Sequence, residues 1–102
     1  MAFSGGSYAE VGRWLWNFLT SHAKRVEPRA EVLLAADDER QGRSYGAQVR
    51  LGDRQAAVWE FDYKDVADNR GRLDWCRQMA EQTRARVREL IGEVGPGRPA
   101  GR

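Results

Sequence analysis

Residues 44–63 read SYGAQVRLGDRQAAVWEFDY, a pattern that predicts two β-strands joined by a tight turn. Apolar and polar side chains alternate on both sides of Gly52-Asp53-Arg54, as they do in strands that bury one face. A two-residue loop at Gly52-Asp53 would put the aromatic residues of the second strand opposite the apolar face of the first. We therefore predict a three-residue loop or an equivalent bulge. The resulting pairs are Leu51–Gln55, Val49–Ala57, Ala47–Trp59 and Tyr45–Phe61.

A short apolar run, residues 30–36, precedes this hairpin and predicts a further strand. It contains Val32, Leu33 and Leu34. The polar residues that follow, Asp37 to Arg43, are interpreted as a loop because they cannot form part of a core. Connections this short favour a meander, in which consecutive antiparallel strands are neighbours in the sheet.

Helical patterns flank the strands on both sides. Ser7-Tyr8-Ala9-Glu10 is a capping box that predicts the start of the first helix, and Pro28 predicts its end near Arg25. The second helix is predicted from about Arg70 to Ile91. Residues that favour N-cap positions precede it: Asp65, Asp68 and Asn69. The apolar stripe of the first helix comprises Tyr8, Val11, Trp14, Leu15, Phe18, Leu19, His22 and Val26, and that of the second comprises Leu73, Cys76, Ala80, Thr83, Val87, Leu90 and Val94.

Two amphipathic helices and one half-buried sheet have a simple joint solution. We predict an α+β fold, a two-layer sandwich of order α-β-β-β-α, in which both helices pack on one face of a three-stranded antiparallel meander. The length of 102 residues fits one domain, which we place at residues 7–94. Residues 1–6 are expected to be flexible. The Gly- and Pro-rich residues 95–102 are expected to form a disordered tail, because no large apolar side chain offsets the entropy of ordering them.

The single cysteine, Cys76, excludes an intramolecular disulfide and favours a reducing compartment. The N-terminus lacks the basic and apolar regions of an export signal. No uncharged run approaches the roughly 18 residues that a membrane span needs. We therefore expect a cytoplasmic protein that does not bind membranes.

No motif for catalysis, cofactor binding or metal binding is evident in the sequence. His22 and Cys76 lie on the apolar stripes of their helices and could form a nucleophile pair, but a lone cysteine at core spacing is better explained as a small hydrophobe. Acidic residues near the second helix are better explained as caps than as cation ligands. They are Asp62, Asp65 and Asp68, with Asp37, Asp38 and Glu39 in the loop. We expect no catalytic, cofactor-binding or metal-binding residue, and a buried, unreactive Cys76.

Two kinds of surface residue remain. Trp16 and Trp75 lie off the apolar stripes and are predicted to be partly exposed, which indicates an interface because tryptophan is enriched at binding hot spots. The alternative surface is a contact for a polyanion along one edge of the second helix, formed by Arg70, Arg77, Arg84 and Arg88. Asp74 and Glu81 adjoin this edge, so a lattice of solvated ion pairs explains it better. The net charge of +2, from 17 basic and 15 acidic residues, is weak for nucleic-acid binding.

The order helix, strand, strand, strand, helix resembles that of the double-stranded-RNA-binding domain, over residues 7–94. The resemblance implies RNA binding through a lysine-rich cluster at the start of the second helix. The matching segment here, residues 64–72, reads KDVADNRGR, in which acidic residues balance the basic ones.

Three hypotheses about function follow. The first is a non-enzymatic protein-interaction module that self-associates through Trp16, Trp75 or the edge of the sheet, so that its partner is a second copy or another protein. The second is a nucleic-acid-binding domain that uses the arginine edge. The third is a small ligand-binding domain or enzyme. Its pocket would be lined by Tyr45, Tyr63, His22 and Cys76.

Overall fold

A computed structural model describes residues 7–35 and 42–94 of the chain. The predicted flexible N-terminus (1–6), the predicted disordered tail (95–102) and most of the predicted acidic loop lie outside the described residues. The elements in chain order are α1 (Tyr8–Val26), β1 (Glu31–Ala35), β2 (Ser44–Leu51), β3 (Arg54–Gln55), β4 (Trp59–Asp62), α2 (Tyr63–Asn69) and α3 (Leu73–Val94).

The first helix begins as its capping box predicts. The Ser7 hydroxyl accepts a hydrogen bond from the Glu10 N–H, and the Glu10 carboxylate accepts one from the Ser7 N–H, each at 3.1 Å. These two bonds satisfy backbone donors that have no partner inside the helix. The helix ends one residue after the predicted Arg25, and Glu27 is its C-cap in extended conformation. Pro28 accounts for this end because it disfavours helical geometry at the residue before it.

The sheet is antiparallel throughout, with β2 in the centre. Strand β1 pairs with one side of β2, and β3 and β4 both pair with the other side. The predicted third strand therefore exists as two pieces of one edge. Both α1 and α3 pack on the same face of the sheet and against each other. The predicted α+β sandwich with a meander sheet is confirmed.

The turn between β2 and β3 takes the second of the two predicted forms, in which a bulge replaces the three-residue loop. Gly52 and Asp53 form a two-residue loop, which the positive φ of Gly52 (+65°) permits. A bulge then restores the parity of the strand, because residues 56–58 lie opposite only Gln48 and Val49. The predicted pairs Leu51–Gln55 and Val49–Ala57 were wrong. The pairs Ala47–Trp59 and Tyr45–Phe61 are confirmed.

The segment before the last helix was also predicted wrongly. Tyr63, placed in a strand by its alternation with Phe61, is the first residue of the short helix α2. The Asp62 carboxylate caps this helix by accepting a hydrogen bond from the Asp65 N–H at 3.2 Å. As a result α3 begins at Leu73 instead of Arg70, and Leu73, predicted in the apolar stripe, is 68% exposed because it lies in the first turn, before the buried part of α3. The buried α3 residues are Ala80, Thr83, Val87 and Leu90.

Candidate interaction surfaces

The hydrogen bonds of β2 determine which way its backbone groups point. The Ala56 N–H donates to the Val49 carbonyl at 2.9 Å, and the Tyr63 N–H donates to the Arg43 carbonyl at 2.8 Å. In an antiparallel strand alternate residues direct their N–H and C=O groups to opposite sides. The odd-numbered residues of β2 therefore bond towards β3 and β4, and the even-numbered residues bond towards β1.

This assignment fixes the outer edge of β1. Val32 lies opposite Val49, and Leu34 lies opposite Ala47, so both pairs are the kind that exchange no hydrogen bonds with each other. The N–H and C=O groups of Val32 and Leu34 consequently point away from β2, towards the outer side of the strand. Val32 is covered there, with only 4% of its surface exposed, whereas Leu34 is partly exposed. An edge strand with such groups is a template for a further strand.

Trp16 lies against this edge. Its indole N–H donates to the Val32 carbonyl at 2.8 Å, so one of the outward groups is already bonded. The side chain nevertheless remains 41% exposed, and the neighbouring Leu33, which points to the face of the sheet without helices, is 39% exposed. Trp16 and β1 thus form one surface that combines exposed apolar area with backbone hydrogen-bonding groups.

A groove of about 1050 Å³ runs between α1 and β1. Its helical wall carries Arg13, Trp16 and Lys24, and its other wall is formed by residues 31–35. The Lys24 ammonium donates to the carbonyls of Pro28 and Ala30, at 3.0 and 2.9 Å, so it closes one end of the groove. Residues 32–35 carry no charge. We refer to Trp16, Leu33, the groove and the outer edge of β1 together as the α1–β1 side.

The opposite edge of the sheet, formed by β3 and β4, is short, interrupted and charged. Strands β3 and β4 are short and are separated by the bulge at residues 56–58. Glu60 and Asp62 are exposed on β4. The Arg86 guanidinium lies 4.2 Å from the centre of the Trp59 ring and covers it from α3. Bulges, short strands and charges are the features by which proteins prevent pairing at an edge.

Trp75 lies elsewhere. Its ring centre is 6.3 Å from that of Trp14, which stacks on Phe18 at 5.0 Å, and all three side chains are partly buried. Positions 14 and 16 lie on nearly opposite sides of a helix, so the structure does not bring Trp16 and Trp75 together. Trp75 belongs to the contact between α1 and α3.

His22 lies further along the same contact. Its ring is 4.7 Å from that of Phe18, and its Nδ1 atom is 3.4 Å from a guanidinium nitrogen of Arg84. Partial burial, followed by the positive charges of Arg25 and Arg84, lowers the pKa of His22 below 6.5.

This lowered pKa predicts a pH dependence of stability. A histidine that binds protons less readily when folded favours the unfolded chain as the pH falls, so the free energy of unfolding should decrease as the pH drops through the unfolded pKa of 6.5. The His22→Gln variant should lose this decrease. Urea titrations at about pH 7.5 and about pH 5.5, above most carboxylate pKa values, would measure it. An equal decrease in both proteins would contradict the assignment.

The four arginines predicted as one edge are not on one helix. Arg70 follows α2 as its C-cap, whereas Arg77, Arg84 and Arg88 lie on α3. Arg84 is partly buried and donates to the Glu81 carboxylate at 2.8 Å. Arg77 and Arg88 are exposed, and neither forms an ion pair with another described residue.

Cys76 is partly buried, so the prediction of full burial was wrong. The reason is that α3 buries its stripe completely only from Ala80 onward. The Cys76 thiol donates to the Arg70 carbonyl, with a distance of 3.4 Å. Burial, followed by the nearby charge of Asp74, raises the pKa of the thiol, which lowers the fraction of reactive thiolate. No described contact joins Cys76 to His22, so the structure does not bring the predicted nucleophile pair together.

The pocket suggested by the sequence is not assembled either. Tyr45 is fully buried, stacks on Tyr8 at 4.5 Å and donates its hydroxyl to the Tyr8 carbonyl at 2.6 Å. The ring centre of Tyr63 is 6.1 Å from that of Tyr8. Tyr45 lines the groove between α1 and β1, but the described lining residues of that groove do not include Tyr63, His22 or Cys76. Within residues 7–35 and 42–94, no three His, Cys, Asp or Glu side chains lie close enough to hold a metal ion.

Comparison of this chain with family models, curated proteins and solved structures gives no significant match. None of the helices in the described part of the chain is both long enough and apolar enough to cross a membrane.

Proposed function

We propose that this chain is a non-enzymatic protein-interaction module that self-associates through its α1–β1 side. The observation that carries the proposal is the outer edge of β1, which pairs with no other described strand. There, the outward backbone groups of Leu34, and those of Val32 beneath the Trp16 indole, lie beside the exposed apolar side chains of Trp16 and Leu33. Exposed apolar surface next to an unpaired strand edge is typical of sites for protein contact.

The contrast between the two edges of the sheet supports this choice of surface. The edge formed by β3 and β4 is interrupted by a bulge and carries the exposed carboxylates of Glu60 and Asp62. Residues 32–35 of β1 carry neither a charge nor a proline. The outer edge of β1 is therefore the less protected of the two edges, although Trp16 bonds one of its carbonyls.

Light scattering across protein concentration and ionic strength tests the proposal. We expect a shift from monomer towards dimer as the concentration rises, with little change between about 0.05 and 0.5 M salt because apolar burial is not screened by ions. Leu33→Glu should weaken the association at least tenfold, since it places a charge in an apolar contact. Val58→Glu is the matched control, because Val58 is 52% exposed on the bulge, outside the α1–β1 side.

A monomer at every concentration up to about 1 mM, the range in which weak association is measurable, would contradict self-association. Equal effects of Leu33→Glu and Val58→Glu would contradict the choice of surface.

A second candidate function, nucleic-acid binding, is favoured by Arg77 and Arg88 on α3, which are exposed and form no ion pair with another described residue. It predicts retention on a polyanion column that falls steeply with salt and is lost in the Arg77→Ala/Arg88→Ala double variant. The self-association proposal predicts no such retention.

A further inference from the structure

We propose that the second copy binds as a strand, with its β1 antiparallel to β1 of the first copy and a twofold axis passing between the two Leu33 residues. This inference rests on the self-association proposed above and specifies its geometry. The two four-stranded sheets would join into one continuous sheet of eight strands. Symmetric pairing of this kind uses the same patch on both copies.

The outward groups of β1 determine the register. In an antiparallel pair, residues that point their N–H and C=O groups at the partner must face one another. Val32 and Leu34 are those residues, so Val32 of each copy faces Leu34 of the other, and Leu33 faces its own counterpart. This register makes four backbone hydrogen bonds and uses all five residues of the strand. A register centred on Leu34 would leave Val32 outside the pairing.

The side chains fit this register. Glu31, the only charged residue of β1, would face Ala35, so no like charges meet. Val32 and Leu34 point to the helix-covered face and would continue the core across the axis. Leu33 points to the open face, and at the axis it forms a pair without mutual hydrogen bonds, in which the Cα atoms approach to about 4.5 Å. The 39% exposure of Leu33 would be reduced by its counterpart.

The same arrangement determines where the helices would lie. Residues that face one another in an antiparallel pair point to the same side of the sheet, so the α1 helices of the two copies would lie side by side on one face.

In this geometry the Trp16 side chain competes with the second copy for the outer edge of β1. Its indole N–H occupies the Val32 carbonyl, which is the acceptor that the Leu34 N–H of the second copy requires. Because Val32 is only 4% exposed, pairing must move both indole rings away from the edge and break their two hydrogen bonds to form four backbone bonds. Trp16→Phe keeps an aromatic ring and removes the donor, so we expect this variant to associate about tenfold more tightly, given the usual net value of a hydrogen bond.

Two variants with opposite charges at position 33 test the register directly. Leu33→Lys and Leu33→Glu should each be monomeric alone, because like charges would meet at the axis. Mixed in equal amounts, they should form a one-to-one heterodimer, detectable by native mass spectrometry from their mass difference. Val58→Lys and Val58→Glu, alone and mixed, should dimerise as the wild type does. Circular dichroism of each variant verifies that it is folded.

The outcomes separate the two proposals. If the wild type dimerises but the mixture of Leu33 variants stays monomeric, the twofold axis at Leu33 is wrong and self-association still stands. A wild type that is monomeric throughout would overturn both. A Trp16→Phe variant that associates no more tightly than the wild type would overturn the role of Trp16 as a competitor.

Discussion

Gly12→Val is expected to destabilise the domain by roughly 2–3 kcal/mol, the usual cost of adding volume to a well-packed core. A Cβ atom on Gly12 would lie 2.8 Å from Cε1 of Tyr45. The Tyr45 ring cannot easily move away, because it is fully buried, stacked on Tyr8 and fixed by its hydroxyl bond. Gly12→Ala should cost about 1 kcal/mol, since the gain in helix propensity offsets only part of the clash.

Urea unfolding of both variants measures these effects. Gly92→Ala is the matched control, because no described atom outside the adjoining helix backbone lies within 4 Å of the position that a Cβ on this helical glycine would take. There the same substitution should stabilise by up to about 1 kcal/mol. A Gly12→Ala variant more stable than the wild type would show that the close approach to Tyr45 has no cost.

Tyr45→Ala should have the largest effect, a loss of about 3–5 kcal/mol, which is typical when a buried aromatic ring is deleted. The ring lies in the centre of the sheet face on which α1 packs, opposite Phe61 and beneath Tyr8. Domains of this size have total stabilities of about 5–15 kcal/mol, so this loss would bring the chain close to unfolding.

Tyr45→Phe separates the ring from its hydroxyl. It removes only the hydrogen bond to the Tyr8 carbonyl and should cost about 1 kcal/mol. Thermal melting followed by near-ultraviolet circular dichroism would report both variants. If the phenylalanine variant lost as much stability as the alanine variant, the hydroxyl bond would be the main contribution of Tyr45.

Local patterns predicted those parts of the fold that depend on neighbouring residues. The capping box at Ser7 located the start of α1, and the alternation of residues 44–51 located β2 together with its pairs to Trp59 and Phe61. The short helix α2 was missed because Asp62 and Tyr63 continue the polar–apolar alternation of β4. The helix is started by a hydrogen bond between the Asp62 side chain and the backbone. Alternation alone cannot distinguish a continued strand from a helix capped in this way.

The candidate surface was predictable only in outline. The sequence places Trp16 off the apolar stripe of α1, but its bond to the Val32 carbonyl depends on how the helix packs over the strand. The free edge of β1 likewise follows from the pairing of β2 with strands on both sides. Trp75, by contrast, was predicted at an interface but packs within the domain. Its contact with Trp14 depends on how two helices lie relative to each other, which the sequence alone does not determine.

Hydrogen exchange of the β1 amides is the most direct test of strand pairing between copies. The Leu33 N–H points to β2 and should be protected at every protein concentration, which makes it an internal reference. The Leu34 N–H, which is less buried than that of Val32, should exchange rapidly in dilute protein and become protected as the concentration rises, but not in Leu33→Glu. Exchange of Leu34 that is independent of concentration, in protein that light scattering shows to be dimeric, would contradict pairing through β1.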